Sequence, residues 1–227
     1  MQKVFVYGAS GHGKVVGDIL LARKDPSFAG FVDDRVELQG SRVLGLPVLG
    51  DGRWLQREAR KMKVAVALGV GDNFARRLLV EKCRAWGTEI VTLVHPTACV
   101  SESARLGPGT VVMAQAAINP DAKIGEGVIV NTGAIVEHDV VIGDYAHVAP
   151  NAAMGGASGL GDYSFLGINA AVRQCVIIGS QSIIGAGAVV VRDIPDHVVA
   201  FGVPAMVQRL IEKQGISSLV DLPGADT

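Results

Sequence analysis

From Val94 to Val190 every sixth residue is aliphatic: Val94, Val100, Leu106, Val112, Ile118, Ile124, Val130, Val136, Ile142, Val148, Met154, Leu160, Leu166, Val172, Ile178, Ile184 and Val190. A helix repeats every 3.6 residues and a strand every two, so a sustained period of six is an internal repeat of its own kind. The fifth place of each hexad is mostly small, from Ala98, Ala104 and Thr110 through Ser182 and Ala188. Glycine often follows the aliphatic place, as at Gly107, Gly125, Gly143 and Gly161, where a turning chain needs freedom from Cβ clashes. Before residue 95 the pattern alternates instead. Val4 to Tyr7 predicts a strand, Gly8 to Gly13 a loop, Lys14 to Arg23 a helix, and Phe28 to Val32 a second strand ending at Asp33-Asp34. Val64 to Leu68 predicts a third strand ending at Gly69-Val70-Gly71-Asp72-Asn73, followed by a helix with Arg76, Arg77 and Lys82, and a last strand, Glu89 to Val94. That order predicts a parallel sheet in a Rossmann-like α/β unit.

The repeats resemble the hexapeptide-repeat acyltransferase superfamily. The resemblance implies a left-handed parallel β-helix with three hexads per triangular coil, the aliphatic residue filling the prism and the small residue easing each corner. It also implies a homotrimer. Fifteen hexads from Leu106 to Pro195 then give about five coils. Stacked coils need cover only at their two ends. The α/β unit is expected at one end and the segment after Val190 at the other. Residues 204–214 suit a short helix begun by Pro204 and stopped by Gly215, with a loose tail beyond about Ser218. The expected organisation is a Rossmann-like domain at 1–95, a β-helix at 96–203, and a C-terminal helix and tail at 204–227.

Composition narrows the partners. Hydrophobic residues make up 49% of the 227 but aromatic ones only 5%, which suits a regular core of small aliphatic side chains. Twenty-one basic and 22 acidic residues nearly cancel, so no broad positive field exists for nucleic acid or an anionic membrane. Cys83, Cys99 and Cys175 are far apart, which argues against a disulfide framework or a zinc cluster and for a reducing compartment. With no charged leader before Val4 and no apolar run of membrane-spanning length, a soluble cytoplasmic protein is expected.

Two places carry candidate chemistry. Glycines between a strand and a helix let backbone N–H groups approach a phosphate at the positive helix end. The spacing Gly-x-x-Gly-x-Gly differs from the dinucleotide fingerprint, and about 95 residues are short for two mononucleotide halves, so one nucleotide fits better than NAD. Asp33 and Asp34 offer acceptors for ribose hydroxyls or a base N–H. In the repeats, His138 stands third in its hexad and so points outward, between Glu137 and Asp139. Flanking carboxylates raise imidazole basicity, as a general base near neutral pH requires. A three-histidine metal site, as in β-helical carbonic anhydrases, lacks a third outward histidine near His138 and His147.

The ordered set Tyr7-Gly8-Ala9-Ser10-Gly11-His12-Gly13, Asp33-Asp34, Val70-Gly71-Asp72-Asn73, Asn131-Thr132, Val136-Glu137-His138-Asp139, Phe165-Leu166-Gly167-Ile168-Asn169 and Gly202-Val203-Pro204-Ala205 is similar to bacterial sugar acetyltransferases. That group includes sialic acid O-acetyltransferases and the N-acetyltransferases of the bacillosamine pathway. The resemblance implies His138 as general base supported by Asp139, and contacts from His147, Ile168 and Ala186 to acetyl-CoA. It implies Ser10, Gly11, His12, Asp33, Asp34 and Gly71 around a nucleotide-sugar, with direct transfer and no metal. An N-acetyltransferase acting on a UDP-4-amino-4,6-dideoxy sugar is the first expectation. A sugar O-acetyltransferase is the second, and a non-catalytic or metal-binding β-helix a distant third.

Overall fold

A computed structural model of the chain describes residues 2–211. It opens with a four-stranded parallel sheet in the order β2-β1-β5-β6. These strands are β1 (Lys3–Tyr7), β2 (Phe28–Val32), β5 (Val64–Leu68) and β6 (Glu89–Ile90), with a small hairpin, β3 (Arg42–Val43) and β4 (Leu46–Pro47), between β2 and β5. Three helices accompany them: α1 (Gly11–Ala22), α2 (Gly52–Ala59) and α3 (Asn73–Ala85). Alternate residues of β1 face opposite ways, as strand geometry dictates. Val4 and Val6 pack with Val16, Ile19 and Leu20 of α1, while Phe5 and Tyr7 pack with Leu79, Val80 and Cys83 of α3.

Seventeen two-residue strands follow at six-residue intervals, β7 (Leu93–Val94) to β23 (Val189–Val190), and form a β-solenoid of about six turns. The second residue of each strand is the aliphatic hexad position, and the column from Val112 to Val190 is buried to 5% exposure or less. Strands pair in parallel with the strand eighteen residues on, as Ile135 does with Ala153 and Val136 with Met154. Three faces result. The first carries β7, β10, β13, β16, β19 and β22, the second β8, β11, β14, β17, β20 and β23, and the third β9, β12, β15, β18 and β21. The first coil begins at Leu93, two hexads before the five coils counted from Leu106.

Turning falls at the fourth place of the hexad rather than on the glycines. Every fourth-place residue from Gly109 to Gly187 has φ between 55° and 71°, including Gln115, Asp139, Tyr145, Ala157 and Cys175. The glycines after the aliphatic place serve closeness between coils instead. A Cβ on Gly161 would stand 2.5 Å from the backbone nitrogen of Ser180 in the next coil, and one on Gly107 2.4 Å from the Gly125 oxygen.

Two expectations about the ends are corrected. The α/β unit lies along the first face rather than across an end. Leu93, Val111 and Ile129, the outward residues of β7, β10 and β13, are buried in one cluster with α1, while Val94, Val100 and Leu106 at the start of the prism are only partly buried. The helix expected over 204–214 is absent from the described part of that range. Its place is taken by a hairpin of β24 (Val198–Phe201) and β25 (Met206–Leu210), which extends the first-face sheet past β22. An unpaired sheet edge drew this segment into strand, which local helix propensity does not outweigh. Gly215 and the tail beyond Ser218 lie outside the described residues.

Candidate active site

His138 follows β14 (Ile135–Val136) at the corner between the second and third faces. Inward Val136 and Val140 anchor this corner on either side, so the three residues between them face out. Asp139 takes the left-handed turn conformation, φ +60°, and its Oδ2 accepts a 2.8 Å hydrogen bond from His138 Nδ1. Glu137 is not that partner. The bond to Asp139, with the charges of Asp139 and Glu137 adding to it, holds His138 above the ordinary histidine range. With Nδ1–H committed, Nε2 is left as the basic atom of a largely exposed side chain. The ring is 61% exposed and lies against Gly156, one coil further on, where a Cβ would come within 2.5 Å of Nε2. Beside Asp139 a groove of about 510 Å³ runs along the third face, lined by Arg105, Asp121, Lys123 and Val141.

His147, expected to touch acetyl-CoA, is the outward residue of β16 (His147–Val148) on the first face, under the α/β unit. Its Nε2 accepts from Asn131 Nδ2 at 3.0 Å, Phe165 packs edge-on at 5.0 Å, and the His12 ring lies 6.4 Å away. Burial, together with the Arg76 charge, pulls His12 down to about 4 and His147 well below its usual range, so both rings are neutral. His12 Nε2 is buried without a hydrogen-bond partner.

Ser10, Gly11 and His12 open α1, and the Ser10 side chain does not cap it. Gly8 and Gly13 permit a tight backbone turn, since Cβ atoms there would strike the oxygens of Gly69 and Gly8. Gly11, by contrast, faces open space. The two aspartates are more committed than the sequence suggests. Asp33 accepts from Ala9 N, Arg35 N and the Arg35 guanidinium, so it ties the glycine loop to the end of β2. Burial alone would raise its pKa, but those partners outweigh burial and hold it low. Asp34 Oδ1 accepts from the Tyr7 hydroxyl at 2.8 Å and Gly52 N at 2.9 Å. Asp34 also borders a cavity of about 210 Å³ with Tyr7, Val70, Leu78, Leu79 and Lys82. Gly71 lies beside His12, its carbonyl bound by Arg76 at 2.8 Å.

Arg76 is the residue whose role the sequence reading missed. It is fully buried, and its guanidinium donates to the carbonyls of Gly127, Val70, Gly71 and Tyr145 and to Asn73 Oδ1. One side chain therefore joins the loop after β5 to two solenoid corners. The available signal was periodicity: Asn73, Arg76, Leu79, Val80 and Cys83 form the buried stripe of α3, with an arginine where an apolar residue is usual.

The corners separate the expected site residues within one chain. The α/β unit covers the first face, and His138 stands at the opposite corner of the triangle. Exposed Ile168 and Ala186 stack in consecutive coils at a third place, the corner between the first and second faces, with Gly187 N donating to Ile168 O. Among the described residues no group of three His, Cys, Asp or Glu side chains is arranged to hold a metal ion. No helix among them is long and apolar enough to cross a membrane.

Family and fold comparisons agree with this architecture. Residues 3–83 match the PglD N-terminal domain, and residues 121–156 the bacterial transferase hexapeptide (six repeats). A histidine variant of perosamine N-acetyltransferase from Caulobacter crescentus, in complex with CoA and GDP-perosamine, shares 42% identity over 91% of this chain and 97% of that one, with a TM-score of 0.87. The chain belongs to the hexapeptide-repeat sugar acetyltransferase family. A second member, the acetyltransferase domain of PglB from Neisseria gonorrhoeae FA1090 in complex with acetyl coenzyme A, is 37% identical over 91% of this chain and 98% of that chain, with a TM-score of 0.82. UDP-N-acetylbacillosamine N-acetyltransferase of Bacillus subtilis (strain 168) is 40% identical over 119 residues, 50% of this chain and 52% of that protein. The match thus spans about half the length of that curated relative.

Proposed function

We propose that the chain transfers the acetyl group of acetyl-CoA to the amine of a nucleotide-linked 4-amino-4,6-dideoxy sugar, with His138 as general base. The observation that carries this is the His138–Asp139 pair, which leaves a basic Nε2 open at a solvent-facing corner. The amine nitrogen attacks the thioester carbonyl carbon while Nε2 takes its proton. The intermediate then expels the CoA sulfur as a thiolate, and the imidazolium returns the proton to it. Position and proton removal supply the acceleration. Complexes of the relatives with CoA, acetyl coenzyme A and GDP-perosamine support the two substrates. The uncapped start of α1 at Ser10–His12 suits the diphosphate, and the cavity at Asp34 suits the base.

The opposed placement of the α/β unit and His138 supports a homotrimer whose sites lie between protomers. A sugar held by one chain reaches the His138 of its neighbour, with acetyl-CoA contacts from Ile168 and Ala186 at the same seam. The second face suits such packing: its outward residues include Ala117, Ala153 and Ala171. The deciding measurement is acetyl transfer by H138A to GDP- and UDP-linked 4-amino sugars. A loss of about 10²–10⁴-fold is expected for a general base, and undiminished transfer would sink the assignment. Thermal shifts with GDP, UDP and NAD identify the nucleotide. Stabilisation by NAD alone would contradict a nucleotide-sugar acceptor.

A further inference from the structure

We propose that Gly156 is a positioning residue for the His138 imidazole, kept free of a Cβ so that the ring can lie against its backbone. This rests on the reading of His138 as the base. The ring is fixed at two edges. At one, Nδ1 donates to Asp139 Oδ2 at 2.8 Å. At the other, a Cβ built on Gly156 would fall 2.5 Å from Nε2, 2.6 Å from Cε1 and 3.2 Å from Cδ2, inside contact distance of the Nε2–Cε1 edge. Such a carbon requires the imidazole, the outer end of a largely exposed side chain, to leave the position in which it meets Asp139.

That backbone is held. Ala157 N donates to His138 O at 2.9 Å, Cys175 N to Gly156 O at 3.0 Å, and Asp139 N to Pro120 O at 3.1 Å. The ring rather than the coil therefore gives way, and the expected consequence is a weakened bond to Asp139. Gly156 does not have positive φ, so its own conformation does not call for glycine. The neighbouring Gly155 differs, since a Cβ there would meet the backbone nitrogen of Gln174 at 2.6 Å. Of this pair, Gly155 answers to coil packing and Gly156 to the imidazole.

Five variants test this: G156A, G155A, H138A and the double variants H138A/G156A and H138A/G155A. G156A is expected to lower kcat/KM by about 100-fold, the scale of an ångström-level misplacement of a reacting group. Binding of the nucleotide, followed by calorimetry, is expected to be unchanged. The acid limb of its pH profile is expected to move to lower pH, as a weakened bond to Asp139 requires. The thermal cost of the added methyl is expected to vanish in the H138A background, where nothing occupies that space, whereas G155A destabilises with either residue at 138. A G156A protein with wild-type kcat/KM and pH profile overturns the proposal, as does an equal thermal cost in both backgrounds. If G156A alone fails to fold, folding of H138A/G156A supports the ring clash and its failure overturns it. An active H138A protein defeats the base assignment itself, separately from the outcome at position 156.

Discussion

Two neighbouring side chains at one corner, His138 and Asp139, show how a turn can tune a base. The left-handed conformation of Asp139 brings its carboxylate back onto the imidazole of the residue before it. That contact raises the His138 pKa, so the neutral form that the proposed mechanism needs appears only at higher pH than for an isolated histidine. D139N removes the charge and is expected to shift the acid limb of kcat/KM toward lower pH, with a fall in the plateau as the base weakens. A rate profile between pH 5 and 9 checks this, and an unmoved limb would show that Asp139 does not support the base. The outward placement of His138 was legible from its hexad position alone. The choice between Glu137 and Asp139 was not, because it depends on backbone dihedrals. Nor was the structural commitment of Asp33, whose partners Ala9 and Arg35 meet it only once the glycine loop has folded.

Among the elements, the hexad repeat was the clearest signal, because each inward side chain must be aliphatic to share one narrow core. The division of labour within the hexad was less visible. Left-handed corners carry Gln115, Tyr145, Asn151 and Cys175 as readily as glycine, so the conformation is imposed by stacking rather than written in residue type. Such positions retain strain: a left-handed L-residue costs roughly 1–2 kcal/mol. A157G, at an exposed corner with φ +55°, is expected to stabilise the chain by up to about 1 kcal/mol, after the entropy that glycine adds to the unfolded state. Urea titration would read the change, and destabilisation would contradict it. The misread 204–214 segment and the unassigned α2 share one cause. Strand β25 exists because β24 offers an edge, and α2 because Asp51 caps Trp54 N while Gly52 packs under Tyr7 and Trp86.

On the scale of the whole molecule, Arg76 ties the α/β unit to the solenoid. R76M would orphan the buried carbonyls of Gly127 and Tyr145, at about 1–3 kcal/mol each, so a loss of roughly 2–6 kcal/mol is expected in urea unfolding. His12 adds acid sensitivity at the same junction. Its pKa is 6.5 ordinarily and about 4 in the fold, so between those values the unfolded chain binds more protons and stability falls as pH drops. H12N is expected to lessen the fall of the melting temperature across that window, leaving the part that His147 contributes. The proposed arrangement of sites between protomers is open to complementation. G11E places a carboxylate where phosphate is proposed to bind and has room to do so, while H138A lacks the base. Each homo-oligomer is expected to be inactive and a co-refolded mixture active, whereas a site contained in one chain would leave the mixture dead.

Because consecutive coils of the solenoid pair at eighteen residues, as Ile135 does with Ala153, a change in length that keeps every strand on its face must come in steps of eighteen. A whole extra turn inserted beyond Asn169 would lengthen the column and leave the imidazole on its edge of the triangle. An insertion of six residues before Ile135 would instead rotate that edge by a third of a circuit, carrying the imidazole out of line with any neighbouring acceptor while every hydrophobic position still fits. Natural variants of this architecture should therefore differ by eighteen-residue steps on the N-terminal side of the base, and a count of such gaps would reveal it.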